Sequence, residues 1–216
     1  MRYLNLDTLK ENNSIKKFSF YTPSEGYISS QFWIGYTVDS GHTVTKKYIT
    51  LSNVDYNGHY DVNLTFGFGI NGVKAFSKNN ILVYGHYGFV PAVLTSTDGA
   101  NTFKLIFLSL YTQLAFNDGI KDMAFPENTN IGYAVDADRI LKTTDKGNNW
   151  FTLRIDPESY FEMLEPIDNN TVYTYNRLYG STKLLKTTNA GNSWQQLNLP
   201  YGNKINAVSF ITASTG

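Results

Sequence analysis

The chain has 216 residues with eighteen basic and eighteen acidic side chains, so no net field draws it to nucleic acid or to an anionic membrane surface. It has no cysteine, which excludes a disulfide framework, a thiolate zinc site and a cysteine nucleophile. Sixteen Tyr and fourteen Phe favour strands, and the length suits one all-β domain as well as two smaller ones.

Residues 1–14, MRYLNLDTLKENNS, are a lead-in without the apolar core and small-residue cleavage site of a signal peptide, and no run approaches the roughly 18 apolar residues of a membrane span. No membrane span is expected, and a secreted or periplasmic bacterial setting is compatible with the sequence. From residue 15 the chain repeats itself. IKKFSFYTPSEGY (15–27), IKDMAFPENTNIGY (120–133) and INAVSFITASTG (205–216) each run from Ile through alternating residues to Phe, a polar turn and Gly. A weaker copy starts at VKAF (73–76), and FEMLEPIDNNTVY (161–173) keeps the shape with little of the spelling. The starts at 120 and 205 lie 85 apart with one copy between, a period of about 42–43 residues, within the range of four-stranded blades.

Within 119–156, IKDMAF, IGYAVDA, RILKTT and WFTLRI read as four short strands separated by turn-forming clusters. Large and small apolar residues alternate in IGYAV, which predicts burial of both faces. YTQLAFNDGIKDMAF (111–125) is ambiguous enough to hold one helical turn. The copies begin near 15, 70, 119, 161 and 205, giving a lead-in at 1–14, repeats over 15–65, 70–108, 119–156 and 161–199, and a partial one at 205–216. Four units and one strand suggest a truncated molecule with missing blades, whose exposed edge strands invite association.

KTTDKGNNW (142–150) and KTTNAGNSW (186–194) write nearly the same nine letters twice. Asp145 and Asn189 can close Asx-turns, Gly147 and Gly191 supply positive φ, and Trp150 and Trp194 open the next strand over the turn they follow. LTSTDGANTF (94–103) is a third version with Asp98 and Phe103; Ala100 holds the Gly place, so Gly99 is expected to absorb the positive φ. SNVDYNG (52–58) sits where a first-copy turn belongs, one residue too long.

These segments resemble the Asp-box, or bacterial neuraminidase repeat, of the sialidase-like superfamily, with the pattern Ser/Thr-x-Asp-x-Gly-x-x-Trp. Residues 132–150 look most like photosystem II assembly factor-like and sortilin-like propellers. The resemblance implies an all-β fold, a β-propeller of four-stranded antiparallel blades, incomplete, with about four blades and one strand of a fifth. It implies structural roles for Asp98, Phe103, Asp145, Gly147, Trp150, Asn189, Gly191 and Trp194. It places ligand contacts on the loops from second to third strand, which selects His86, Tyr87, Asp136, Asp138, Arg139, Arg177 and Tyr179, either as a rim that grips a protein or carbohydrate or as plain solvated hairpin tips.

A catalytic reading is weaker. Four arginines, Arg2, Arg139, Arg154 and Arg177, do not form the sialidase arginine pattern. A glycoside hydrolase of the xyloglucanase kind needs two facing carboxylates, for which Asp136 or Asp138 with Asp39 are the candidates. DYNGHYD (55–61) lacks the spacing of a calcium loop, and His42, His59 and His86 have no second ligand at metal spacing. FGFGING (66–72) precedes a strand and not a helix, so it reads as a linker between repeats and not as a phosphate cradle. No cofactor or metal is called for. The expectation is a non-catalytic scaffold that binds a protein or glycan, with a hydrolase fragment as the rival.

Overall fold

A computed structural model of the chain describes residues 14–56, 68–88, 90–108, 119–178, 181–198 and 209–210. They build four antiparallel meanders in two compact units, divided between residues 110 and 111. In the first unit, β1 (Ile15–Phe20), β2 (Gly26–Ser30), β3 (Trp33–Thr37) and β4 (Thr45–Tyr48) pair in chain order. The second sheet pairs β6 (Phe68–Ala75), β7 (Ile81–Tyr87), β8 (Val90–Ser96) and β9 (Phe103–Phe107), and the short β5 (Val54–Asp55) lies parallel against the outer edge of β9. The second unit holds β10 (Asp122–Ala124), β11 (Gly132–Val135), β12 (Arg139–Thr143) and β13 (Phe151–Ile155), then β14 (Tyr160–Pro166), β15 (Val172–Leu178), β16 (Ser181–Thr187) and β17 (Gln195–Leu197). The strands predicted within 119–156 are those observed, though the fourth begins at Phe151, after Trp150.

The second strands are buried on both faces, as the alternation in 131–135 predicts: every residue of β2 and of β11 is buried. In the first unit, Tyr27, Ile34, Ile70, Val73, Val83, Leu94 and Leu105 form one core between the two sheets. In the second, Tyr133, Val135, Ile140, Phe161, Leu164, Val172 and Leu185 form its counterpart. Each such side chain contributes about 1.5–3 kcal/mol when withdrawn from water. FGFGING is not a linker where it is described, because Phe68–Ala75 is a strand paired along β7. Gly85 is required there: a Cβ would run into the carbonyl of Gly69 on the neighbouring strand. Residues 57–61 of the calcium-like stretch and 111–118 of the ambiguous helical stretch lie outside the described residues.

Turns between third and fourth strands follow one hydrogen-bond plan in all four sheets. The first hydroxyl of the motif donates to the carboxylate or amide two residues on: Thr37 to Asp39 at 2.9 Å, Ser96 to Asp98 at 2.9 Å, Thr143 to Asp145 at 2.8 Å and Thr187 to Asn189 at 2.9 Å. The same oxygen accepts the backbone N–H four residues on, from Gly41, Ala100, Gly147 and Gly191. Oδ1 of Asp39, Asp98, Asp145 and Asn189 then accepts the N–H of Thr43, Thr102, Asn149 and Ser193 at 2.8–3.0 Å. The turn of the first sheet is therefore residues 37–44, not 52–58, where residues Leu51–Asn53 form a 3-10 turn. Val44 stands where the other copies have Phe103, Trp150 and Trp194, which hid the match.

Two adjacent left-handed residues close each turn: Ser40 and Gly41, Gly99 and Ala100, Lys146 and Gly147, Ala190 and Gly191. Gly99 does not spare Ala100, which has φ 65°. The plan demands two positive φ values in a row, so a glycine at the first position leaves the second still strained. The first residue of each pair donates its N–H to the loop between first and second strands: Ser40 to Ser24, Gly99 to Asn79, Lys146 to Asn130 and Ala190 to Asn170. One end of every sheet is thereby locked. Trp150 and Trp194 are half-buried over their turns, with the indole N–H of Trp150 on Gly147 O at 3.0 Å.

Candidate functional site

Strand direction alternates, so the hairpin from second to third strand and the exit of the fourth strand share the end of each sheet away from these turns. Backbone bonds attach that end to the next sheet of the same unit. Ile70 N–H donates to Gln31 O at 3.3 Å in the first unit, and Phe161 N–H donates to Ala137 O at 2.9 Å in the second. At the turn end, Tyr27 OH reaches Lys78 O at 2.7 Å and Tyr133 OH reaches Asn169 O at 2.9 Å. Neighbouring sheets are pinned at both ends by equivalent groups.

Asp136, Ala137, Asp138 and Arg139 form the tip between β11 and β12, and it is not a solvated tip. Asp136 and Ala137 are fully buried, Asp138 is 1% exposed and Arg139 6%. Arg139 Nε donates to Asp136 Oδ2 at 2.9 Å, its Nη2 closes on the same oxygen, and its backbone N–H meets Asp136 Oδ1 at 3.0 Å. Asp138 Oδ1 stands 3.8 Å from Arg139 Nε and accepts no hydrogen bond. Burial pushes the Asp136 carboxyl up, against the pull of Arg139. The tip is covered because the exit of β13 folds over it: Asp156 N–H donates to Asp138 O at 2.8 Å.

Beside it, the buried Asn176 Nδ2 donates to Ser159 Oγ at 2.6 Å, while Asn176 Oδ1 accepts nothing. Asn176 and Arg177 lie within β15 and not in a loop, and Arg177 is exposed and pairs with Glu162 at 3.1 Å. Tyr179 lies outside the described residues. In the first unit, His86 and Tyr87 end β7; His86 Nδ1 meets Gly88 O at 2.7 Å, and the buried Tyr87 ring packs edge-on to Tyr56 and Phe107. Asp39 is part of its turn, accepting from Thr37, Thr43 N–H and Thr43 Oγ1. Ser159 and Glu162 are not marked by the sequence, because strand pairing, and not spacing, brings them beside the tip. Among the described residues, no group of three or more His, Asp or Glu is arranged to hold a metal ion.

No family model and no curated protein matches the sequence. Solved structures do resemble its fold. An ancestral GH74 enzyme superposes with a TM-score of 0.64 at 14% identity, over 88% of this chain and 26% of that one. YCF48 from Cyanidioschyzon merolae gives 0.58 at 13% identity, over 94% and 66%. The fold is a β-propeller. The GH74 enzyme of Niastella koreensis matches at 0.59 and 17% identity, over 84% of the propeller and 30% of the enzyme. The propeller thus spans from about a quarter to about two thirds of these structures. Its four meanders are blades, and among its described residues no helix is long and apolar enough to cross a membrane.

Proposed function

We propose that the chain is a non-catalytic propeller scaffold of the Asp-box kind that binds a protein or glycan through exposed groups at the hairpin end of its blades. The observation that carries this reading is the engagement of Asp136: both its oxygens accept from Arg139, within a closed tip. A carboxylate with both oxygens engaged and no exposed surface is out of reach of a substrate, and Asp39 is likewise committed to its turn. The roles of Asp98, Asp145 and Asn189 are then structural, and missing blades of a longer parent would complete the ring. Arg177 and His86 are the reachable candidates for ligand contact.

The test is a glycan and peptide array on the chain, run beside a reducing-sugar assay. Binding without sugar release, weakened by Arg177→Ala or His86→Ala, is the expected result. Sugar release abolished by Asp136→Asn or Asp138→Asn would establish the hydrolase instead.

A further inference from the structure

At the hairpin end of the second unit, Asp138 Oδ1, Asn176 Oδ1 and Arg154 Nε are buried and make no hydrogen bond. Strand alternation places them in one interface. Val172 and Ile140 pack in the core between the third and fourth blades. β15 pairs with β16 in unbroken register, so Asn176, four residues on from Val172, points into that same interface. Arg154 stands directly opposite Ile140 and shares its face. Asp138 is held beside them by its neighbours: Asp156 N–H bonds its carbonyl, and Phe161, the partner of Asn176 across the strands, bonds the carbonyl of Ala137.

The hydrogen-bond roles are fixed by a short relay. Ser159 gives its hydroxyl proton to the Asp156 carboxylate, which also accepts Arg154 Nη2 at 3.0 Å. The Ser159 oxygen can then only accept, which obliges Asn176 to offer Nδ2 at 2.6 Å and leaves its Oδ1 turned away. Asp138 and Asn176 are each 1% exposed, so bulk solvent does not serve them. Two acceptors and one donor are left over, and leaving such groups unpaired in an interior is costly. A guest that serves all three must be small, donate twice and accept once. A metal cation or an ammonium cannot accept from Arg154 Nε, and the hydroxyl of a larger molecule has one proton to give. Water meets every condition.

We propose that a single long-lived water is bound between the third and fourth blades, donating to Asp138 Oδ1 and Asn176 Oδ1 and accepting from Arg154 Nε. It is an integral part of the fold and joins the tip of one blade to β13 and to β15 of the next. The assignment does not depend on the scaffold reading.

A crystal structure of the whole chain at atomic resolution should show one water within hydrogen-bond distance of all three atoms. Magnetic relaxation dispersion of the water oxygen reads the same site in solution. The parent should exceed Asn176→Leu by one long-lived water, because the near-isosteric Leu presents a methyl where the acceptor stood. Equal dispersion in the two would overturn the site. So would a crystal structure in which protein groups alone satisfy these atoms, a result that stands even where Asn176→Leu does not fold. A melting temperature higher in sodium chloride than in tetramethylammonium chloride at equal ionic strength, with metal density at this place, would overturn water in favour of a cation.

Discussion

The side-chain amide of Asn189 donates to Ser193 Oγ at 2.8 Å. In the second blade the polarity of the same contact is reversed, since Thr102 Oγ1 donates to Asp98 Oδ2 at 2.6 Å. A hydroxyl partner accepts either arrangement, so an amide keeps the oxygen that takes the backbone N–H, while a carboxylate adds charge-assisted bonds that acid removes.

Asp98→Asn should therefore cost less than about 1 kcal/mol at neutral pH, whereas Asp98→Ala leaves the N–H groups of Asn101 and Thr102 and two hydroxyls without their acceptor and should cost about 1–3 kcal/mol. Urea unfolding of the two variants beside the parent checks the difference. Equal losses would mean that the negative charge itself holds the turn.

Acid should weaken the fold through these same turns. Hydrogen bonds led by the Thr43 backbone hold Asp39 down at about 2, and those led by the Thr102 hydroxyl hold Asp98 at about 2. Asp145 is also lowered: burial opposes ionisation there, and the Asn149 and Thr143 hydrogen bonds outweigh it. A folded value below the unfolded one, about 3.9, means stability that is full above that value and lost as pH falls toward about 2. Denaturant midpoints measured from pH 5 downward should fall over that window. The slope should be shallower in Asp39→Asn/Asp98→Asn.

Backbone strain separates two substitutions that look alike on paper. Gly191→Ala would place a methyl at φ 91° and into Leu153 Cδ1, so a loss of about 2 kcal/mol or more is expected. Ala100→Gly relieves about 1 kcal/mol of left-handed strain but gives up a buried methyl worth about 0.8 kcal/mol, so it should be close to neutral. Thermal unfolding of both variants distinguishes these outcomes.

Breaking the buried pair is the severest change. Arg139→Met strands Asp136 in a dry tip and should cost about 3–5 kcal/mol. Adding Asp136→Leu should restore much of that loss. A double-mutant cycle by chemical denaturation gives the coupling, and additive losses would show that the pair is not a unit.

Strands and turns were legible because their causes are local. Alternation along 131–135 implied burial on both faces, and Thr143-x-Asp145-x-Gly147 carries its own hydrogen-bond partners within eight residues. The first-blade turn carries the same Thr37-x-Asp39-x-Gly41 spacing. Val44 takes the place of the aromatic that marks the other three copies, so only the hydroxyl, carboxylate and glycine spacing identifies this one.

What the sequence by itself determined was thus the repeat, the all-β fold and the turns, each specified by neighbours a few residues apart. Only the tertiary structure decided that Asp136 and Arg139 are interior, because their burial depends on Phe161 and Asp156 donating to the tip from further along the chain. Charge on a hairpin tip is equally consistent with solvent and with a dry ion pair until the neighbouring sheet is in place, since desolvation depends on what packs above it.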